Sequence, residues 1–150
     1  MRRPVRQRRP RCGRVALTVA ATGPRSVEAI WADYTRPERW ALWSPHLRAA
    51  DTPFSPIRTG SVGRVHGVGG VRADFRVDDV DDHARTWGWT VTLGPLTVHL
   101  VHGVDDPSDG GTTAWVRIHG PLLVVAGYAP LMHWALHRLV TRNTTDGEIA

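Results

Sequence analysis

The chain has 150 residues, a length typical of one folded domain. Its apolar fraction of 41% is ordinary for a globular protein, and the single cysteine, Cys12, excludes a disulfide framework and fits a reducing cytoplasm. The net charge of +5 comes from residues 1–14, which hold seven arginines and no acid, so the remainder lacks the basic excess of a nucleic-acid-binding domain.

Residues 1–13 are predicted to form an arginine-rich tail, for which three interpretations stay open. The first is a disordered extension, for example one added by an upstream start site, because arginine and proline cannot form a core. The second is contact with an anionic nucleic acid or membrane surface. The third is a twin-arginine export signal, although residues 15–21 are short for its apolar part. No apolar run approaches the length of a membrane-spanning helix.

The predicted elements begin with a strand over residues 14–21, where apolar side chains alternate with smaller or polar ones. A short amphipathic helix is predicted over residues 24–34 from apolar spacings of three and four. A second short helix follows over residues 35–43, opened by a capping box between Thr35 and Glu38.

The middle of the chain changes to an apolar period of two, which is typical of antiparallel strands with one buried face. A glycine-interrupted strand is predicted near residues 61–67, and polar turns are predicted over residues 78–83 and 105–111. The positions predicted to face inward are all apolar: Val71, Ala73, Phe75, Val77, Trp89, Val91, Leu93, Leu96, Val98, Leu100, Ala114, Val116 and Ile118.

A helical period returns over residues 121–142, where one apolar stripe runs from Leu122 to Val140. Pro130 is expected to kink or divide this helix, and residues 143–150 are predicted to be frayed. Consecutive strands joined by tight turns imply a meander. The predicted fold is therefore α+β, with a curved antiparallel sheet wrapped around a long C-terminal helix. Space between sheet and helix that side chains leave unfilled would be a cavity.

Short motifs stand in a fixed order over residues 14–142, which are predicted to form one domain. They are Pro24 with 27–31, the stretch 36–43, Gly60, the stretches 84–87 and 110–113, and Gly120-Pro121. In this order they resemble the SRPBCC or START-like superfamily, whose bacterial members are often labelled polyketide cyclase/dehydrase. The resemblance implies a helix-grip fold with a deep pocket for a hydrophobic small molecule, such as a lipid or a polyketide, and no cofactor.

Three hypotheses for function follow, because this superfamily has no shared catalytic motif. The first is binding of a hydrophobic small molecule, favoured because the inward positions are apolar and lack groups for proton transfer. The second is an aromatase/cyclase acting on a polyketide intermediate. The third is an interaction module that recognises a protein or nucleic acid through its outer surface, Trp115 or the arginine tail. The predicted ligand-binding residues are Trp40, Trp43, Phe75, Trp89, Val98, Leu100, Val116 and Met132.

Trp40 and Trp43 are interpreted as pocket wall, because the short helices cap the cavity entrance in the fold of this superfamily, although plain core stays an alternative. His102 falls on the inward face, where it would be either a hydrogen-bonded pocket residue near the rim or a solvent-exposed strand end. A pocket histidine would be the best candidate for a general base. No metal site is expected, because His99 and His102 point to opposite faces of a strand. His133 and His137 share one face of a helix but have no third ligand nearby.

Overall fold

The structure, a computed structural model, describes residues 14–107 and 110–142. The predicted tail over residues 1–13 and the predicted frayed end over residues 143–150 lie outside the described residues. The strands are β1 (Arg14–Gly23), β2 (Leu47–Asp51), β3 (Val62–Gly67), β4 (Arg72–Asp81), β5 (Thr86–Leu93), β6 (Leu96–Asp105) and β7 (Thr112–Pro121). The helices are α1 (Val27–Thr35), α2 (Trp40–Trp43) and α3 (Leu122–Thr141), with 3-10 turns at Pro37–Arg39 and Val68–Gly70.

The seven strands form one antiparallel sheet in the order β1-β7-β6-β5-β4-β3-β2. Strands β3 to β7 make the predicted meander, and β1 pairs with β7 along its whole length, from Arg14 opposite Pro121 to Gly23 opposite Thr112. The sheet is open, with β1 and β2 at its edges. The α+β class, the antiparallel sheet and the long C-terminal helix are therefore confirmed.

The strands differ from the predictions in three places, the first of which is β1, which ends at Gly23 and not at residue 21. Strand β2 was not predicted, because its sequence lacks an apolar alternation and it pairs only with β3, at the edge of the sheet. The polar turn predicted from residue 78 begins later, because β4 stays paired with β5 through Asp81. Asp78 is held in the strand by the Thr90 hydroxyl, which donates to its carboxylate at 2.7 Å.

The predicted capping box between Thr35 and Glu38 is wrong, because both side chains bond elsewhere. The Thr35 hydroxyl donates to the Trp31 carbonyl at 3.0 Å and so closes α1. The Glu38 carboxylate accepts a hydrogen bond from the Ser55 hydroxyl at 2.6 Å. The second short helix is therefore a 3-10 turn that continues directly into α2.

Helix α3 packs mainly against β1 and β7 and runs unbroken through Pro130, so the predicted division of this helix is wrong. Proline leaves the carbonyl of Ala126 without its helical partner, but both residues are exposed, so water can bond that carbonyl. Leu122, predicted in the buried stripe, is 53% exposed because it is the first helical residue after β7. The C-terminal half of the stripe, including Leu136 and Leu139, is fully buried.

A buried ionic cluster ties α1 to the C-terminal end of α3. The Asp33 carboxylate is inaccessible to solvent and contacts Arg25 at 2.7 Å, Arg142 at 2.8 Å and Arg39 at 3.3 Å. Arg25 also donates to the Leu139 carbonyl at 2.9 Å. Buried charges need such partners, and the cluster therefore fixes α1 beside α3.

Candidate functional site

A cavity of about 300 Å³ lies between one face of the sheet and α3. It exists because α3 packs mainly on β1 and β7 and leaves the same face of β3 to β6 without a long helix. The sheet side of the cavity is lined by Val65, Ala73, Trp87, Trp89, Val91, Leu93, Leu96, Val98, Leu100 and His102. The helix side is lined by Val124, Tyr128 and Met132, and the segment from α2 to β2 closes the remaining side.

Tryptophan rings form the inner end of the cavity. Trp40 stacks on Trp87 with ring centroids 5.7 Å apart, and Trp87 stacks on His102 at 4.4 Å. The Trp40 indole nitrogen donates to the Tyr34 carbonyl at 2.9 Å, which ties α2 to the end of α1. Trp40 and Trp43 do line the cavity, but their near-complete burial places them at its inner end, so the predicted position at the entrance is wrong.

The mouth of the cavity has a rim of exposed apolar side chains. Val68 and Val71 flank the β3–β4 connection, and Leu93 and Leu96 flank the β5–β6 turn. All four line the cavity and are between 40% and 51% exposed. Exposed apolar groups that continue into an apolar cavity are typical of an entry route for an apolar molecule.

One hydrogen-bonded polar group interrupts the apolar wall. The His46 ring contacts the Tyr128 hydroxyl at 2.8 Å through Nε2 and the Ser44 hydroxyl at 3.2 Å through Nδ1. Burial lowers the pKa of His46 to about 4 and raises the pKa of Tyr128, so both side chains are neutral near pH 7. This group was not predicted, because its members are far apart in sequence and Tyr128 falls in the apolar stripe predicted for the last helix.

His102 is a buried cavity residue in the middle of β6. The predicted pocket position is confirmed, because His102 lines the cavity. The predicted place near the rim and the alternative of a strand end in solvent are wrong, because β6 continues to Asp105 and the ring stacks at the inner end. Its two ring nitrogens have no hydrogen-bond partner among the described residues. Burial lowers the pKa of His102 to about 3. A general base needs a pKa nearer the working pH, which weakens this candidate.

Six of the eight predicted ligand-binding residues line the cavity: Trp40, Trp43, Trp89, Val98, Leu100 and Met132. Phe75 and Val116 are buried but do not line it. The Phe75 ring packs against Trp40 and Trp89, and Val116 lies on β7, which α3 covers. Inward orientation was therefore predicted correctly for both, but alternation cannot separate cavity wall from solid core.

The other three histidines of the two pairs, His99 with His102 and His133 with His137, do not line the cavity. His99 is on the opposite face of β6 from His102, where it contacts the Thr90 hydroxyl at 2.9 Å, and His133 and His137 are exposed on α3. Within residues 14–107 and 110–142, no three side chains of the metal-ligating types converge on one point. No helix in these same ranges combines the length and the apolar character needed to span a membrane.

No model of a known protein family matches this chain. A search of curated proteins likewise finds no match. The resemblance to the SRPBCC or START-like superfamily therefore stays a prediction.

Proposed function

We propose that the protein binds one apolar small molecule, lipid-like or polyketide-like, in the cavity beside α3. The observation that carries this proposal is an unfilled space of about 300 Å³ whose wall is almost entirely apolar. Protein interiors are normally packed with few voids larger than a water molecule. An apolar wall that faces solvent through the mouth of the cavity costs stability, and a bound ligand would cover that wall.

The volume favours a compact ligand. Ligand pockets commonly span about 300–1,000 Å³, so this cavity lies at the small end of that range. A single alkyl chain or a molecule of two or three rings suits such a space better than a lipid with two chains. The tryptophan rings at the inner end offer a flat surface that also suits an aromatic ligand.

We infer in addition that the architecture is a helix-grip fold of the SRPBCC or START-like kind. Two short helices after β1, the antiparallel meander and the long C-terminal helix support this inference. A cavity placed between the sheet and that helix supports it as well. A cytoplasmic location remains a proposal that rests on the single cysteine.

An aromatase/cyclase activity is the second candidate, and the group of Ser44, His46 and Tyr128 is the observation that favours it. A hydroxyl donor in an apolar site can polarise a ketone, and an apolar wall can orient an extended chain. The lowered pKa of His46, about 4, makes it a weak base near pH 7. Binding without chemistry is therefore the better supported function.

The interaction-module hypothesis has less support. Trp115 is only half-exposed, and its ring covers Gly103 on the neighbouring strand, where any larger side chain would collide with the ring. This packing explains an outward tryptophan without a partner protein. The arginine tail, the other part of that hypothesis, lies outside the described residues.

Native mass spectrometry of the full chain tests the proposal. We expect a population heavier than the polypeptide mass, whose excess mass disappears under denaturing conditions. Solvent extraction followed by mass analysis would then identify an apolar molecule. A native mass equal to that of the polypeptide, together with no thermal shift from single-chain lipids or aromatic ketones, would contradict ligand binding.

A further inference from the structure

The cavity wall is unusual in its lack of charge. Among the described residues that line it, none is Asp, Glu, Lys or Arg. Besides the indole N–H groups of the tryptophans, the polar side chains in the wall are those of Ser44, His46, Tyr128 and His102. The ring nitrogens of His102 and the indole nitrogens of Trp87 and Trp89 are covered by neighbouring atoms, so a ligand in the cavity does not reach them without rearrangement. The indole nitrogens of Trp40 and Trp43 already donate to backbone carbonyls. The hydrogen-bonding group left to a ligand is the chain of Ser44, His46 and Tyr128.

The donors and acceptors among Ser44, His46 and Tyr128 can be exchanged, depending on which ring nitrogen of His46 carries the proton. With a proton on Nδ1, His46 donates to Ser44 and its Nε2 accepts from the Tyr128 hydroxyl. The Tyr128 oxygen then offers a lone pair to a ligand hydroxyl. With the proton on Nε2, His46 donates to Tyr128, and the Tyr128 hydroxyl is free to donate to a ligand carbonyl. One tautomer change thus lets the same oxygen serve either kind of ligand.

The hydrogen-bonded residues Ser44, His46 and Tyr128 lie on the mouth side of the cavity. The His46 carbonyl accepts a hydrogen bond from the backbone amide of Val68, a rim residue, at 3.0 Å. Tyr128 lies one helical turn after Val124, in the N-terminal half of α3. The tryptophan rings occupy the opposite, inner end. A ligand with one polar end would therefore place that end near the mouth and its apolar part against the tryptophans.

We propose, on the basis of the proposed function, that the ligand is an uncharged molecule whose single hydroxyl or carbonyl oxygen bonds to the Tyr128–His46 pair, and that carboxylates are rejected. A carboxylate buried in this wall would have no cation as partner among the described residues. Burying an unpaired ion costs far more than burying a hydrogen-bonded alcohol or ketone. Both histidines in the wall stay neutral near pH 7, because burial lowers their pKa values.

The test uses three probes with one alkyl chain and different polar ends: 1-octanol, 2-octanone and octanoate. Each is titrated into the full chain by isothermal titration calorimetry near neutral pH, where octanoate is ionised. We expect the alcohol and the ketone to bind and octanoate to bind at least about tenfold more weakly. This comparison needs no variant protein.

The variant Tyr128→Phe tests the hydrogen bond itself. Loss of one neutral hydrogen bond is expected to weaken 1-octanol and 2-octanone about fivefold. The matched control is Tyr34→Phe, because the Tyr34 hydroxyl donates to the Trp115 carbonyl at 3.2 Å and Tyr34 does not line the cavity. The control should bind all three probes as the unaltered protein does. If Tyr128→Phe does not fold, the comparison of probes on the unaltered protein decides alone.

The outcomes separate this inference from the proposed function. Octanoate binding as tightly as 1-octanol, or a folded Tyr128→Phe with unchanged affinities, would overturn the inference and leave the function standing. The uncharged dye N-phenyl-1-naphthylamine is titrated in parallel. Binding of this dye without binding of any octyl probe would also overturn the inference alone. Failure of the dye and of all three probes would overturn both.

Discussion

The variant His102→Phe is expected to be more stable than the unaltered protein, and increasingly so in acid. The His102 ring is 2% exposed, and neither ring nitrogen has a partner among the described residues. A buried polar group without a partner costs about 1–3 kcal/mol, and phenylalanine keeps a flat ring against Trp87 without that cost. The adjoining cavity gives room for the larger ring. We expect a gain of about 1–2 kcal/mol near neutral pH.

The acid dependence follows from the pKa of His102, which burial lowers to about 3. The unfolded chain takes up a proton near pH 6.5 and the folded chain does not, so this histidine's contribution to stability falls as the pH drops below about 6.5. At about pH 4.5 the loss amounts to about 2.7 kcal/mol, or 1.36 kcal/mol for each pH unit. Phenylalanine removes this loss, so the advantage of the variant should grow to about 4 kcal/mol.

Urea unfolding followed by circular dichroism, near neutral pH and at about pH 4.5, measures both quantities. Because His46 is present in both proteins, its own acid dependence cancels in the difference. The control is His99→Phe, the same change on the opposite face of β6, where the side chain is exposed. A variant that is less stable near neutral pH, with a difference that does not change in acid, would refute the reasoning and indicate a hydrogen-bonded His102.

Two further predictions concern elements that hold the cavity in place. Asp33→Asn should lower the free energy of unfolding by about 3–5 kcal/mol, because Arg25 and Arg142 would stay buried without a counter-charge. Urea unfolding measures this loss, and a loss below about 1 kcal/mol would show that the cluster is dispensable. Pro130→Ala should raise the melting temperature, because alanine restores a helical hydrogen bond in α3 and gains about 1–3 kcal/mol. An unchanged or lower melting temperature would mean that the helix is adapted to the proline.

Much of the architecture was predictable, because an apolar period of two indicates the strands and a helical apolar period indicates the helices. The alternation in β4 to β7 predicted which side chains face inward, and the buried residues Ala73, Phe75, Val77, Ala114, Val116 and Ile118 agree with it. Strand β2 could not be predicted, because an edge strand with one bonded neighbour needs no apolar alternation. Division of the helix, one of the two alternatives at Pro130, does not occur, because the effect of a proline depends on exposure, which the local sequence does not reveal.

The cavity was only partly predictable. Alternation predicts inward residues, but whether they meet other side chains or empty space depends on where α3 lies across the sheet. For this reason Val98 on β6 lines the cavity, whereas Val116 on the neighbouring strand β7 lies under the helix. The contact between His46 and Tyr128 joins residues far apart in sequence, and neither residue stands in a recognisable motif. Asp33 and Arg142, which form part of the buried ionic cluster, are likewise far apart in sequence.

The most direct test of the central claim is to fill the cavity and measure binding of an uncharged apolar dye. Val91→Phe adds a ring on the face of β5 that lines the cavity, and Thr92→Phe adds the same ring on the opposite, exposed face. Titration of N-phenyl-1-naphthylamine, followed by its fluorescence, should show binding to the unaltered protein and to Thr92→Phe, and at least about tenfold weaker binding to Val91→Phe. Equal affinity in all three proteins would place the dye outside the cavity and contradict the proposed function.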